Sequence, residues 1–196
     1  MPGHTRRRDE RYSQYCAMVI DRAKTVRGAF AGAIAAGVWL AQQPLDKPVF
    51  GLDYDDSELL GKAFTRGRAW PVVGMVVHLG NGAAMGALYT ALAPRMPVPS
   101  WSRGPLVALT EHLLTWPLTV VAERVHPARD DLPKLAGSLP AFAQATWRHL
   151  LFGVVMGELE RRLNAPEPPE VPSFEEVAST NGHGDLEAAL SGVGRS

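Results

Sequence analysis

The sequence predicts an all-α protein: a four-helix transmembrane bundle followed by a disordered C-terminal tail. Three observations predict it. Four segments are dominated by Ala, Gly, Val, Leu and aromatic residues. One of them, Trp70–Ala93, carries no Asp, Glu, Lys or Arg across 24 residues, where a surface helix in water would show a charged face. The polar residues gather at the two ends of the chain, so the mean hydropathy of −0.06 averages an apolar middle with polar flanks. This divides the chain into a basic N-terminal segment (1–27), a membrane domain (28–160) and a tail (161–196).

Arg6, Arg7, Arg8 and Arg11 precede the first apolar run as they would in a signal peptide. The run begins late and Trp39–Gln43 offers no small-residue cleavage site, which favours an uncleaved first helix. Tyr12–Arg27 reads either as an amphipathic helix on the inner membrane surface or as a continuation of the first span. That span is 28–43, GAFAGAIAAGVWLAQQ, stopped by Pro44. It is short against the roughly 20 residues a spanning helix needs. The second span, 70–93, opens on Trp70-Pro71 and closes at Pro94. The third, 104–122, contains Pro117, which bends it. The fourth, 139–159, is interrupted by Gln144, Arg148 and His149.

The tail is rich in Pro, Glu, Gly and Ser and poor in large apolar groups, the composition of disorder. Within it, Ser173–Ala178 and Asp185–Leu190 are candidates to fold on a cytoplasmic partner. Twelve Lys/Arg lie in the tails and the 94–103 loop against seven in the two opposite loops, 44–69 and 123–138. The positive-inside rule then places both termini in the cytoplasm. Trp39, Trp70, Tyr89 and Trp101 suit an interfacial belt, while Trp116 and Trp147 lie deeper and suit packing.

Small residues recur at four-residue spacing: Gly28 and Gly32 in the first span, Gly74, Gly82 and Gly86 in the second, Gly153 and Gly157 in the fourth. Such stripes let helix backbones approach closely in lipid. His78 shares the stripe of the second span and His149 that of the fourth, so both face other helices. In the third span Glu111, His112, Thr115 and Thr119 gather on one side. At about 1.5 Å rise per residue, His78, His112 and His149 fall near the midplane, within about 10 Å of one another in depth. Ionisable groups are costly there, so His78, Glu111, His112, Arg148 and His149 form a candidate polar cluster, with Arg148 pairing with Glu111 or snorkelling outward.

The runs VHLGNGAAMGALY (Val77–Tyr89), EHLLTWP (Glu111–Pro117) and RHLLFG (Arg148–Gly153) resemble the YagU-like group of small bacterial inner-membrane proteins. The first loop, PLDKPVFGLDYDDSELLG, is less proline-rich than that group's. The resemblance implies an inner-membrane location and a part in acid or stress tolerance, and it implies no catalytic residues.

Zero net charge gives no electrostatic footprint for nucleic acid, and a lone Cys16 forms no intrachain disulfide or cysteine zinc site. No nucleophile triad, catalytic carboxylate pair or phosphate loop is present, so the chain does not read as an enzyme. The expectation is a structural, accessory or stress-related membrane protein, in contact with the bilayer and open to homo-oligomerisation. Two alternatives stand beside it. The cluster serves a proton- or solute-handling oligomer, since imidazole titrates near neutrality; or His78, His112, His149 and Glu111 ligate a metal or haem, since imidazole suits Zn, Cu, Fe and Ni. No cofactor is otherwise expected. His126 before Pro127 reads as a solvated loop residue, as do His4 and His183 in the tails. Asp53, Asp55, Asp56 and Glu58 read as a solvated helix start rather than a cation site.

Overall fold

The computed structural model describes residues 21–166, and among these every regular element is helical. Residues 12–20 of the amphipathic segment and 167–196 of the tail lie outside the described residues. Six α-helices follow in order: α1 (Arg22–Phe50), α2 (Asp56–Phe64), α3 (Trp70–Leu92), α4 (Ser100–Thr115), α5 (Leu118–Val125) and α6 (Leu139–Leu163), with a 3-10 turn, Ala93–Arg95, after α3.

The first segment does not stop at Pro44. Asp21 caps α1 by accepting from the amides of Ala23 and Lys24, and the helix continues through Pro44 and Pro48. A proline removes one backbone bond and strains the preceding turn. Here Asp46, between the two prolines, is held by Gln42, Gln144 and Arg148, and those bonds keep the turn helical. Gly51 ends it, in the left-handed region at φ 66° with its amide on the Lys47 carbonyl. The third segment breaks as expected at Pro117: α4 and α5 meet at 51°.

Glycine contacts order the helices. Cβ atoms on Gly32 or Gly86 would overlap the carbonyls of Gly82 and Gly28, so α1 and α3 touch backbone to backbone. A Cβ on Gly104 would overlap the Gly153 carbonyl, which brings α4 onto α6. Gly61 of α2 and Gly74 of α3 meet in the same way. Since α1 also packs on α6, the long helices run α3, α1, α6, α4 across the bundle, and α3 and α4 do not pack face to face.

The interior combines small residues and polar groups with a few large apolar side chains, Trp39, Tyr89, Phe152 and Met156 among them, while many other large aliphatic side chains point outward. Ala31, Ala35, Ala36, Ala108 and Ala141 are buried, together with Gln144, Arg148 and His112. From Gly28 to Phe50 every exposed residue of α1 is apolar, Phe30, Ile34, Val38, Leu45 and Val49 among them. From Leu139 to Glu160 of α6 the exposed residues are Leu139, Pro140, Trp147, Leu150 and Val154. Trp70–Arg95 is the one single helix among the described residues long and apolar enough to cross a membrane, and the bent α4–α5 pair qualifies when counted as one span.

Trp39 and Tyr89, expected at an interfacial belt, are buried at 6% and 2% exposure, because each sits on the glycine-contact side of its helix. Trp147, expected in the packing, is 44% exposed, with its indole N–H on Gln42. His126 is not a solvated loop residue. It is buried, its Nδ1 accepts from the Ala128 amide, and its Nε2 reaches the Leu59 carbonyl at 2.9 Å, tying the 126–138 loop to α2.

Candidate functional site

Arg148 sits on the inner face of α6 and is fully buried. Its Nε meets Asp46 Oδ2 at 2.6 Å and its Nη2 meets Asp46 Oδ1 at 2.6 Å, a two-pronged pair that matches the planar fork of the guanidinium. Its Nη1 donates to Asp56 Oδ2 at 2.7 Å, and Nη2 also reaches the Tyr54 carbonyl. Asp56 is saturated in turn: Oδ2 accepts from Trp39 and Gln43 as well, and Oδ1 accepts from the Tyr54 hydroxyl at 2.7 Å. A buried ion pair is tolerable only when most of its remaining donors and acceptors are met, and here four Arg148 hydrogen bonds, to Asp46, Asp56 and the Tyr54 carbonyl, do this.

Arg148 therefore neither pairs with Glu111 nor reaches outward. The carboxylate at hand is Asp46, in the stretch of α1 beyond Pro44. The acidic loop is likewise not simply solvated. Lys47 holds Asp53 at 2.8 Å and Asp55 at 3.5 Å, and Lys62 holds Glu58 at 2.6 Å. Asp55 alone acts as the expected helix start, accepting from the amides of Ser57 and Glu58. Tyr54 is buried beside Asp56, and that burial, followed by the Asp56 charge, pushes its hydroxyl well above the usual tyrosine range.

The histidines form a row across the bundle. His78 of α3 lies edge-on to Trp39 of α1 at 5.3 Å between ring centroids, and His149 of α6 lies edge-on to the same indole at 4.6 Å. His112 of α4 stacks on His149 at 4.6 Å and 33°. Its Nε2 is 3.0 Å from the Thr146 hydroxyl. His112 and His149 are thus brought together, while His78 joins them through its contact with Trp39. Arg148 belongs to the separate Asp46–Asp56 network. No group of three or more His, Cys, Asp or Glu side chains among the described residues is placed to hold a metal ion.

Glu111 and His149 are in hydrogen-bonding contact. His149 Nδ1 lies 2.7 Å from the Ala145 carbonyl, which only accepts, so Nδ1 carries a hydrogen. His149 Nε2 lies 3.0 Å from Glu111 Oε2. Two lone pairs would repel at that distance, so the contact needs a further proton, on either the ring or the carboxyl.

Trp39, His78, Asn81, Glu111, His149 and Phe152 border a cavity of about 450 Å³ between α3 and the α4–α6 pair. His78 is 9% exposed, and its Nε2 has no hydrogen-bond partner. Asn81, Ala84 and Leu88 line the cavity and are also exposed on α3, so the cavity opens sideways.

No protein-family model, no curated protein and no solved structure matches this chain. The likeness to the YagU-like group rests on its short motifs alone, and no residue role is taken from it. The sequence reading missed Asp46, Asp56, Tyr54, Gln43 and Trp39 as site residues. The signal that points to them is Arg148 itself: a buried guanidinium requires anions on facing helices.

Proposed function

We propose that this chain is a small multi-pass membrane protein of the bacterial inner-membrane type, an accessory subunit organised around a buried polar interior. Its spans would be α1, α3, the bent α4–α5 pair and α6, with both termini cytoplasmic. The observation that carries this reading is the inverted distribution of side chains. In water, burying Gln144 and Arg148 while exposing Phe30, Ile34, Leu150 and Val154 forgoes hydrophobic stabilisation that those side chains could supply. In lipid the same arrangement is the favourable one, because only the outward surface must be apolar.

It also explains why α1 and α6 are less apolar in sequence than α3. Their polar residues (Gln43 and Asp46, Gln144 and Arg148) face inward and lower the average without touching lipid. Alkaline carbonate extraction of membranes from expressing cells tests the reading, with the protein expected in the pellet. Reporter fusions at residues 66 and 130 should report the outside, and one at residue 97 the cytoplasm. Release into the carbonate supernatant would overturn it.

The hydrogen-bonding contact between Glu111 and His149 favours proton or solute handling as a second reading. Glu111→Gln, assayed for proton flux in vesicles of the purified protein, separates the two. A flux lost in the variant supports handling, and no flux in the wild type leaves the accessory role. A metal or haem role draws no support from the side-chain positions, since no three of the described His, Cys, Asp or Glu groups are placed to hold an ion.

A further inference from the structure

The cavity between α3 and the α4–α6 pair has walls that select a particular chemistry. Each carboxylate that borders it is already hydrogen-bonded: Asp56 to Arg148, Trp39, Gln43 and Tyr54, and Glu111 to His149. A cationic guest would have to compete with those donors. An anionic guest such as a lipid phosphate would find no free cation, because Arg148 already meets Asp46 and Asp56. The walls therefore favour a neutral guest.

It must also offer a hydrogen-bonding atom, since His78 Nε2 is buried without a partner and an unmet polar group of this kind is costly. Asn81 adds a second polar contact on the same wall. Trp39 and Phe152, each 6% exposed, form the aromatic part of the wall, and about 450 Å³ lies within the range of small-molecule sites. The mouth opens past Asn81, Ala84 and Leu88, and beyond Leu88 the exposed residues of α3, Ala91 and Leu92, are apolar, which leaves room for an apolar chain.

We propose that this cavity binds a neutral, planar, carbonyl-bearing head group carried on an apolar chain, the chemistry of a membrane quinone, with the His78 imidazole N–H donating to a ring carbonyl. The proposal rests on the membrane reading for the route by which the ligand arrives, while binding itself is a property of the purified protein.

The test uses the full-length protein in mild detergent, titrated with a 1,4-benzoquinone bearing a ten-carbon chain and followed by quenching of intrinsic tryptophan fluorescence. Saturable quenching is expected, and His78→Ala should weaken it by at least about tenfold, the scale of a lost buried hydrogen bond. Ala84→Phe, on the exposed face of α3, should block the mouth with the hydrogen-bonding groups intact and abolish saturation. Both variants are checked for an unchanged helical circular dichroism spectrum. Absence of saturable quenching in the wild type overturns the proposal. So does displacement of the quinone by an equal concentration of decylbenzene, which would mark an apolar cleft only. So does wild-type affinity in folded His78→Ala. Carbonate extraction reads separately: a protein retained in the membrane that binds no quinone fails this inference alone, and one released by carbonate that binds it fails the membrane reading alone.

Discussion

The Arg148 guanidinium grips both carboxylate oxygens of Asp46, at 2.6 Å each, and neither side chain is more than 3% exposed. Breaking such a pair from one side leaves an uncompensated buried charge. Arg148→Met alone should destabilise the protein by about 3–5 kcal/mol. Arg148→Met combined with Asp46→Leu should recover only part of that loss, because Asp56 keeps its charge and loses the same cation. Arg148→Lys should not rescue, since a point charge cannot make both prongs. Thermal unfolding in detergent, read as a double-mutant cycle, checks all three.

Two groups set opposite pH limits. Burial pushes the Asp55 carboxyl up, but the Ser57 hydroxyl, the Glu58 and Ser57 amides and Lys47 outweigh it and hold the group below its ordinary 3.8. A depressed carboxyl contributes stability above its unfolded pKa and loses it as pH falls through the folded value, so an acid limb is expected below about pH 4. Tyr54 is raised above its ordinary 10.0 by burial and by Asp56. Its contribution is complete below about pH 10 and is lost as pH rises further. Unfolding midpoints measured across the pH range should show both limbs. Tyr54→Phe should flatten the alkaline one, and a wild-type midpoint that does not fall above pH 10 would contradict the burial of Tyr54.

Backbone contact between α1 and α3 leaves no room at Gly32 or Gly86, whereas Gly80 of the same α3 has open space beside it. Gly32→Ala and Gly86→Ala should each cost about 1–3 kcal/mol by overpacking. Gly80→Ala should be neutral or slightly stabilising, since alanine favours the helix. Comparable losses at all three positions in unfolding experiments would mean that the α1–α3 contact is looser than described.

Val154 lies on the outward face of α6, 50% exposed. If that face meets lipid, Val154→Lys should oppose insertion by about 2.5–3.5 kcal/mol before any snorkelling, and less of the protein should reach the membrane pellet. A face in water would absorb the change within about 0.5 kcal/mol. The membrane-fraction yield of this variant against Val154→Leu gives the answer.

The helical class was legible from apolar segment length, and the inter-helix faces were legible from the spacing of Gly28, Gly32, Gly74, Gly82, Gly86, Gly153 and Gly157. Each of these meets another helix, because a missing side chain is a local property that only a close neighbour can use. Pro117 bent its segment for an equally local reason. What escaped the sequence was long-range. Pro44 read as a stop because the bonds that carry α1 past it come from Gln144 and Arg148, about a hundred residues away. His126 read as solvated because its partner, Leu59, is likewise remote. The histidines stood out by their apolar surroundings, but no local pattern shows that His78 and His149 both pack edge-on against Trp39.

Ribosomes make this chain from the N-terminus, so Asp46 and Asp56 emerge 102 and 92 residues ahead of the arginine that bridges them. Until α6 arrives, the nascent bundle holds two acidic groups without that cation. The last helix thus acts as a keystone. A chain cut short before Arg148 leaves both carboxylates without the guanidinium they share.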